Sequence, residues 1–234
     1  MGKHYFNPGC ALSIYKPHAE GCVMAYLEDH LDDIEIHKVC CRHEPSVAHD
    51  SLIVNACASC DRRFPLHEGV RTVSLWEVID DTGGFPFPDY GGMLVTVHDA
   101  CQTRTKKQVH SAIRSLLEKM NISVVEAEHH GTQAICCGDS FYPHLPLEQV
   151  HSKMKMRAES MPCEDVVVYC VSCIKSMSIG GKKPRHILDL LLGETTEPEI
   201  TDVVRWYEQL QTYIDTHSRD ITSLRSSFRP FRKT

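Results

Sequence analysis

The 234-residue chain has no run of about 18 apolar residues, so no stretch of it is suited to crossing a bilayer as a helix. Its first residues, Met1-Gly-Lys-His-Tyr-Phe-Asn7, lack the apolar core of an export signal, and Phe6 stands where N-myristoylation needs Ser or Thr. These absences give the expectation of a cytoplasmic protein without a transmembrane segment. Basic residues are not in excess either. With 25 Lys and Arg against 31 Asp and Glu, the formal charge of −6 offers no footprint for nucleic acid. There is no GxGxxG run, no Walker signature and no ferredoxin-type run of cysteines, so no flavin, nucleotide or cubane-relay domain is evident.

What the chain has in quantity is cysteine, twelve in all. An even count would suit a disulfide framework in a secreted chain, but in a reducing compartment many thiols point to metal binding or redox chemistry. The cysteines are ordered. Cys10, the pair Cys40-Cys41 and Cys57-Ala-Ser-Cys60 form one set; Cys101, the pair Cys136-Cys137 and Cys170-Val-Ser-Cys173 form the other. Each half reads lone Cys, adjacent pair, CxxC, and only Cys22 and Cys163 stand outside the pattern. Both of these are expected to be buried, inert thiols.

The flanking residues repeat as well. Lys3–Cys10 and Leu94–Cys101 each read as a short buried strand ending in a turn that presents a thiol. Helical stretches follow, roughly Ser13–Leu31 and Thr105–Met120; in the second, Val109, Ile113, Leu116, Leu117 and Met120 share one face. Second strands are expected at Ile34–Val39 and Ile122–Val125, and third strands at Ser51–Asn55 and Asp165–Tyr169, leading into each CxxC. After each CxxC, a polar segment precedes an apolar helical run, Leu75–Ile79 and His186–Leu192.

This alternation predicts an α/β fold of two repeated parallel-sheet units with a C-terminal helical extension. The first cysteine-rich repeat covers residues 1–82, the second 93–193, and a C-terminal helix with a basic tail occupies 194–234. The boundary falls in the turn-rich stretch Asp80–Gly92. Fifteen residues separate the pair from the CxxC in the first repeat and thirty-two in the second, so the first is expected to lack one helix, around Leu147–Ser160 in the second. Ile200–Asp215 reads as an amphipathic helix with Val203, Val204, Tyr207, Leu210 and Ile214 on one face. The tail Arg225–Thr234 either lies on the chain's own acidic surface or docks on an acidic partner.

In an open parallel sheet, functional groups gather at the carboxyl ends of strands, so five thiols per repeat can converge. Thiolates suit iron–sulfur clusters, zinc or copper(I). A structural zinc closes with four ligands and an ordinary cubane takes four, which leaves one thiol over or describes a larger cluster. Adjacent cysteines on an extended backbone diverge, which favours a cluster of several irons over one tetrahedral ion.

The duplicated Cys…Cys-Cys…Cys-x-x-Cys order resembles the cysteine-rich (CCG) domain family, which includes the B subunit of heterodisulfide reductase. The resemblance covers roughly residues 3–193. His98-Asp-Ala-Cys101, Ile135-Cys-Cys-Gly138, Tyr169-Cys-Val-Ser-Cys173 and the closing His186-Ile-Leu-Asp-Leu-Leu match closely, whereas Cys40-Cys41 is followed by Arg42 in place of Gly. The resemblance implies two non-cubane [4Fe–4S] clusters, one held by Cys10, Cys40, Cys41, Cys57 and Cys60, the other by Cys101, Cys136, Cys137, Cys170 and Cys173. It implies reductive cleavage of a small disulfide between the clusters, or the reverse thiol oxidation, with electrons from a ferredoxin-like or flavin-containing subunit. An electron-relay subunit of an oxidoreductase complex and a zinc-binding structural module are the competing readings. His98 and His43 are expected proton donors, against the plainer reading of histidines satisfied by nearby backbone.

Overall fold

The computed structural model describes residues 2–38, 47–64, 67–198 and 202–227, with side chains to residue 217. Cys40, Cys41, Arg42 and His43 lie outside the described residues, as does the end of the basic tail from residue 228.

Each repeat is a four-stranded, all-parallel sheet. The first contains β1 (His4–Asn7), β2 (Ile34–Ile36), β3 (Leu52–Asn55) and β4 (Arg71–Ser74) in the order β2-β1-β3-β4. The second contains β5 (Met93–His98), β6 (Ile122–Val124), β7 (Asp165–Val168) and β8 (Lys183–His186) in the order β6-β5-β7-β8. The central strands are buried on both faces, as their Ile53-Val54, Val95, Val97 and Val166-Val167-Val168 runs require.

Nine α-helices occur among the described residues: α1 (Cys10–Tyr15), α2 (Pro17–Glu28), α3 (Ala58–Asp61), α4 (Leu75–Thr82), α5 (Lys107–Lys119), α6 (Leu147–Glu159), α7 (Val171–Ile179), α8 (Ile187–Leu192) and α9 (Val203–Ser227). The expected first helix is broken into α1 and α2 because Pro17 has no N–H to continue the ladder. The predicted face of α5 is buried as expected. The predicted extra helix of the second repeat is α6, and no counterpart occurs among the described residues of the first. On α9, Val203 and Ile214 are buried; Trp206 joins them, and Val204 is exposed.

The polar segments after each CxxC are also strands, β4 and β8. They are edge strands, where Arg71, Lys183 and Pro184 discourage further pairing, and this is why they read as polar. Ser74 then closes a capping box with Glu77 at the start of α4.

One hydrophobic core runs through both repeats, joining Phe6, Val54 and Trp76 to Val95, Val97, Val167 and Ile187. The turn-rich stretch between repeats is not a loose linker, since Phe85, Phe87 and Tyr90 pack on that core and Tyr90 Oη donates to the Leu190 carbonyl at 2.8 Å. Buried Asp189 of α8 ties the repeats further, accepting from Tyr15 Oη at 2.6 Å, Lys16 Nζ at 2.5 Å and Thr196 Oγ1 at 2.6 Å. Near the cysteines, Lys106 pairs with Asp61 and Arg62 with Gln102, again across the two repeats. Among the described residues, no helix is long and apolar enough to cross a membrane.

Candidate metal centre

In each sheet the strand order reverses beside the first central strand, so the crevice opens at the carboxyl ends of β1 and β3, and of β5 and β7. The lone cysteine and the CxxC of each repeat follow these strands. Cys10 opens α1 after β1, and Cys57 is the N-cap of α3 after β3. Cys101 follows β5, and Cys170 is the N-cap of α7 after β7.

A cavity of about 270 Å³ lies where the two crevices meet. Its walls include Cys10, Cys57 and Cys60 from the first repeat and Cys101, Cys136, Cys137, Cys170 and Cys173 from the second. All eight described cysteines of the two motifs therefore reach one space, and none of them is in a disulfide. Burial was expected of Cys22 and Cys163, but Cys22 lies on the exposed side of α2 and Cys163 is half-buried; neither lines the cavity. The remaining wall is largely apolar or aromatic, with Leu12, Trp76, Tyr169 and His186. Tyr207, Leu210 and Ile214 of α9 cover one side, and Ile214 packs on Cys10.

The second site is held by a turn that only glycine fits. Gly138 has φ +104°, and a Cβ there would stand 2.8 Å from both Cγ and the backbone N of Met154 in α6. Its N–H donates to Cys136 Sγ at 3.4 Å, and Ser140 Oγ lies 3.0 Å from the same sulfur. Hydrogen bonds from Cys101 and Cys137, joined by these two, hold the Cys136 thiol far below its ordinary range. The thiols around it are pushed up, Cys101 and Cys137 first by their hydrogen bonds to Cys136 and Cys173 first by its bond to Cys137. One thiolate is thus stabilised at the expense of its neighbours. A cation is what lets several adjacent thiols ionise together.

Cys136 and Cys137 both line the cavity, and each thiol shifts the titration of the other. Adjacency alone therefore does not exclude a single tetrahedral ion.

A ring nitrogen of His98, Cys137 Sγ and Cys173 Sγ, all buried, lie within 4.8 Å of one another, a group that could hold a metal ion. His98 Nε2 is buried with no hydrogen-bond partner. In the first repeat, Gly9 leaves a comparable cradle: a Cβ there would sit 2.7 Å from Cys57 Cβ, 3.4 Å from Cys60 Sγ and 3.5 Å from Cys57 Sγ. Clustered thiols, an orphaned polar atom on a ring beside two of them and an opening kept by glycine fit a soft, thiolate-bound metal centre.

The proton-donor role expected of His98 does not suit its surroundings. Burial, then the charge of Arg157, pushes its pKa down to about 3, so the ring is neutral near pH 7 and sealed from water. His186, a cavity residue given no role by the sequence pattern, is likewise pushed down to about 4 by burial.

Asp99 braces the Cys101 turn from behind. Its Oδ1 accepts from Arg114 at 2.7 Å and Tyr169 Oη at 3.1 Å, and its Oδ2 from Arg114 at 2.8 Å and Gly131 N at 2.6 Å. Burial pushes the Asp99 pKa up, but the hydrogen bonds and charge of Arg114 outweigh it and hold the group below its ordinary 3.8. A depressed folded pKa contributes stability that is full above the unfolded value and lost as pH falls through the folded one. Asp99→Asn should therefore be less stable than the parent near pH 7, with the gap narrowing below about pH 4, as read by acid titration of denaturant midpoints.

No family model matches the chain, and no curated protein matches it.

Proposed function

We propose that the chain is an iron–sulfur redox protein similar to the B subunit of heterodisulfide reductase, reducing a small disulfide or running the reverse thiol oxidation. The observation that carries this reading is the single cavity lined by cysteines of both repeats. A structural metal module needs no open space between its sites. A two-electron substrate flanked by two one-electron centres does.

Cys10, Cys57 and Cys60, with Cys40 and Cys41, would hold one non-cubane [4Fe–4S] cluster; Cys101, Cys136, Cys137, Cys170 and Cys173 would hold the other. When bound, such clusters supply one-electron transfers at potentials set by charge, hydrogen bonding and solvent exposure. The protein's own part is to bind and orient the substrate. Leu12, Trp76 and the α9 residues offer apolar contact and exclude water, and the cavity volume suits a small molecule. The overall change is RSSR′ + 2e⁻ + 2H⁺ → RSH + R′SH, the electrons coming from a ferredoxin-like or flavin-containing subunit.

A mononuclear zinc site is the second reading, favoured by the proximity of His98, Cys137 and Cys173. Iron, sulfide and zinc content of anaerobically purified protein, together with its EPR spectrum, separates the two. About eight irons and eight sulfides per chain are expected, as two four-iron clusters require. Stoichiometric zinc without iron would sink the redox reading.

A further inference from the structure

Behind Cys137 and Cys173, His98 and Arg157 form a buried pair that the cysteine pattern does not include. His98 is 1% exposed and Arg157 4%. Arg157 Nε donates to His98 Nδ1 at 3.2 Å, its Nη2 to the His129 carbonyl at 2.8 Å and its Nη1 to Ser160 Oγ at 3.2 Å. The guanidinium is therefore held from three sides, by His98, the His129 carbonyl and Ser160.

The pairing fixes the histidine tautomer. Arginine has donors only, so Nδ1 must offer its lone pair, and the single proton of the neutral ring sits on Nε2. That N–H has no acceptor, and one nitrogen of the same ring lies within 4.8 Å of Cys137 Sγ and Cys173 Sγ. A buried donor left unsatisfied costs about 1–3 kcal/mol, so the arrangement calls for an acceptor between the ring and the thiols. Ligation by His98 would need the opposite tautomer, with Nδ1–H directed head-on at Arg157 Nε–H. Metal-bound histidines turn that second nitrogen toward an acceptor, not a donor.

We propose that His98 is a hydrogen-bond donor to sulfur of the centre at the second site, with Arg157 as the positioning residue that fixes its tautomer and adds a buried positive charge. This rests on the iron–sulfur reading above. A donor to sulfur and a nearby cation both stabilise the reduced, more negative state of a cluster, so the pair raises the reduction potential of this site. The first site has no such device among the described residues. Asn7 occupies the position equivalent to His98, three residues before the lone cysteine, and its Nδ2 donates to Asn55 Oδ1 at 2.7 Å. Arg157 belongs to α6, the helix without a described counterpart in the first repeat.

The test is an EPR-monitored redox titration of the anaerobic full-length chain beside His98→Leu and Arg157→Met, with iron and sulfide counted in each. Both variants are expected to keep their iron. The midpoint of one cluster should fall by about 59 mV or more, a tenfold change in a one-electron equilibrium, while the other stays put. Unmoved midpoints in iron-replete variants would overturn the proposal. So would loss of about four irons from His98→Leu alone, which would make His98 a ligand, or loss from both variants, which would make the pair a scaffold. A parent chain without iron would instead overturn the iron–sulfur reading itself.

Discussion

Asp189→Ala is expected to lower the unfolding free energy by about 3–5 kcal/mol, the range for removing one partner of a buried ion pair. Asp189 is fully buried, and its two oxygens serve Tyr15 and Lys16 of the first repeat and Thr196 beyond α8. Lys16 keeps a second carboxylate, Glu194 at 2.8 Å, but the Tyr15 and Thr196 hydroxyls lose the acceptor described here. Since these bonds join the first repeat to α8, the damage should fall on docking of the repeats as much as on either sheet. Equilibrium denaturation of the reduced protein gives the number. The exposed Lys183–Glu164 pair, 60% and 66% accessible, serves as the control. Its removal should cost no more than about 1 kcal/mol, and a comparable loss from both changes would mean that Asp189 is not a tie between the repeats.

Gly138→Ala is expected to empty the second metal site while leaving the first loaded. An alanine at φ +104° carries left-handed strain of about 1–2 kcal/mol. Its methyl would also overlap the backbone nitrogen of Met154, which cannot move without shifting α6, and overpacking of that kind costs about 1–3 kcal/mol. The turn would yield first, because it is short and α6 is packed on α7 and carries Arg157. Yielding withdraws the Gly138 N–H from Cys136 and moves the adjacent thiols off their common focus. Metal analysis should show about half the parental content. Full content would mean that the turn does not govern the site.

Much of this architecture was legible because the chemistry was written twice. Runs such as Asp165–Val168 leading into Cys170 announce a buried parallel strand, and the same order before Cys57 confirms the repeat. The cavity's position follows, since like strand ends of two like sheets face one another. Other features left no such mark. β4 and β8 are sheet edges, where charge and proline are selected against further pairing, so their pattern resembles a loop. Arg157 reads as one more polar residue on an amphipathic helix, and only the folded chain places it against His98. Trp206, three residues after Val203 and four before Leu210, belongs to the buried stripe of α9 in place of exposed Val204, and its Nε1 donates to Ser172 Oγ at 3.4 Å. Asp99 stands beside a cysteine motif, but its partners Arg114 and Gly131 come from elements that sequence spacing does not bring near.

The wall that α9 lends the cavity belongs to neither repeat. It is seated by Trp206, by Tyr207 bonding to Asp139 at 3.0 Å and by Ile214 resting on Cys10. A helix fastened at a few points lifts more often than a strand fastened along its length. Each lifting would widen the path of oxidants to Cys10, the buried thiol beneath Ile214. The lifetime of the Cys10 thiol in air would therefore follow the opening frequency of a helix that contributes no sulfur of its own.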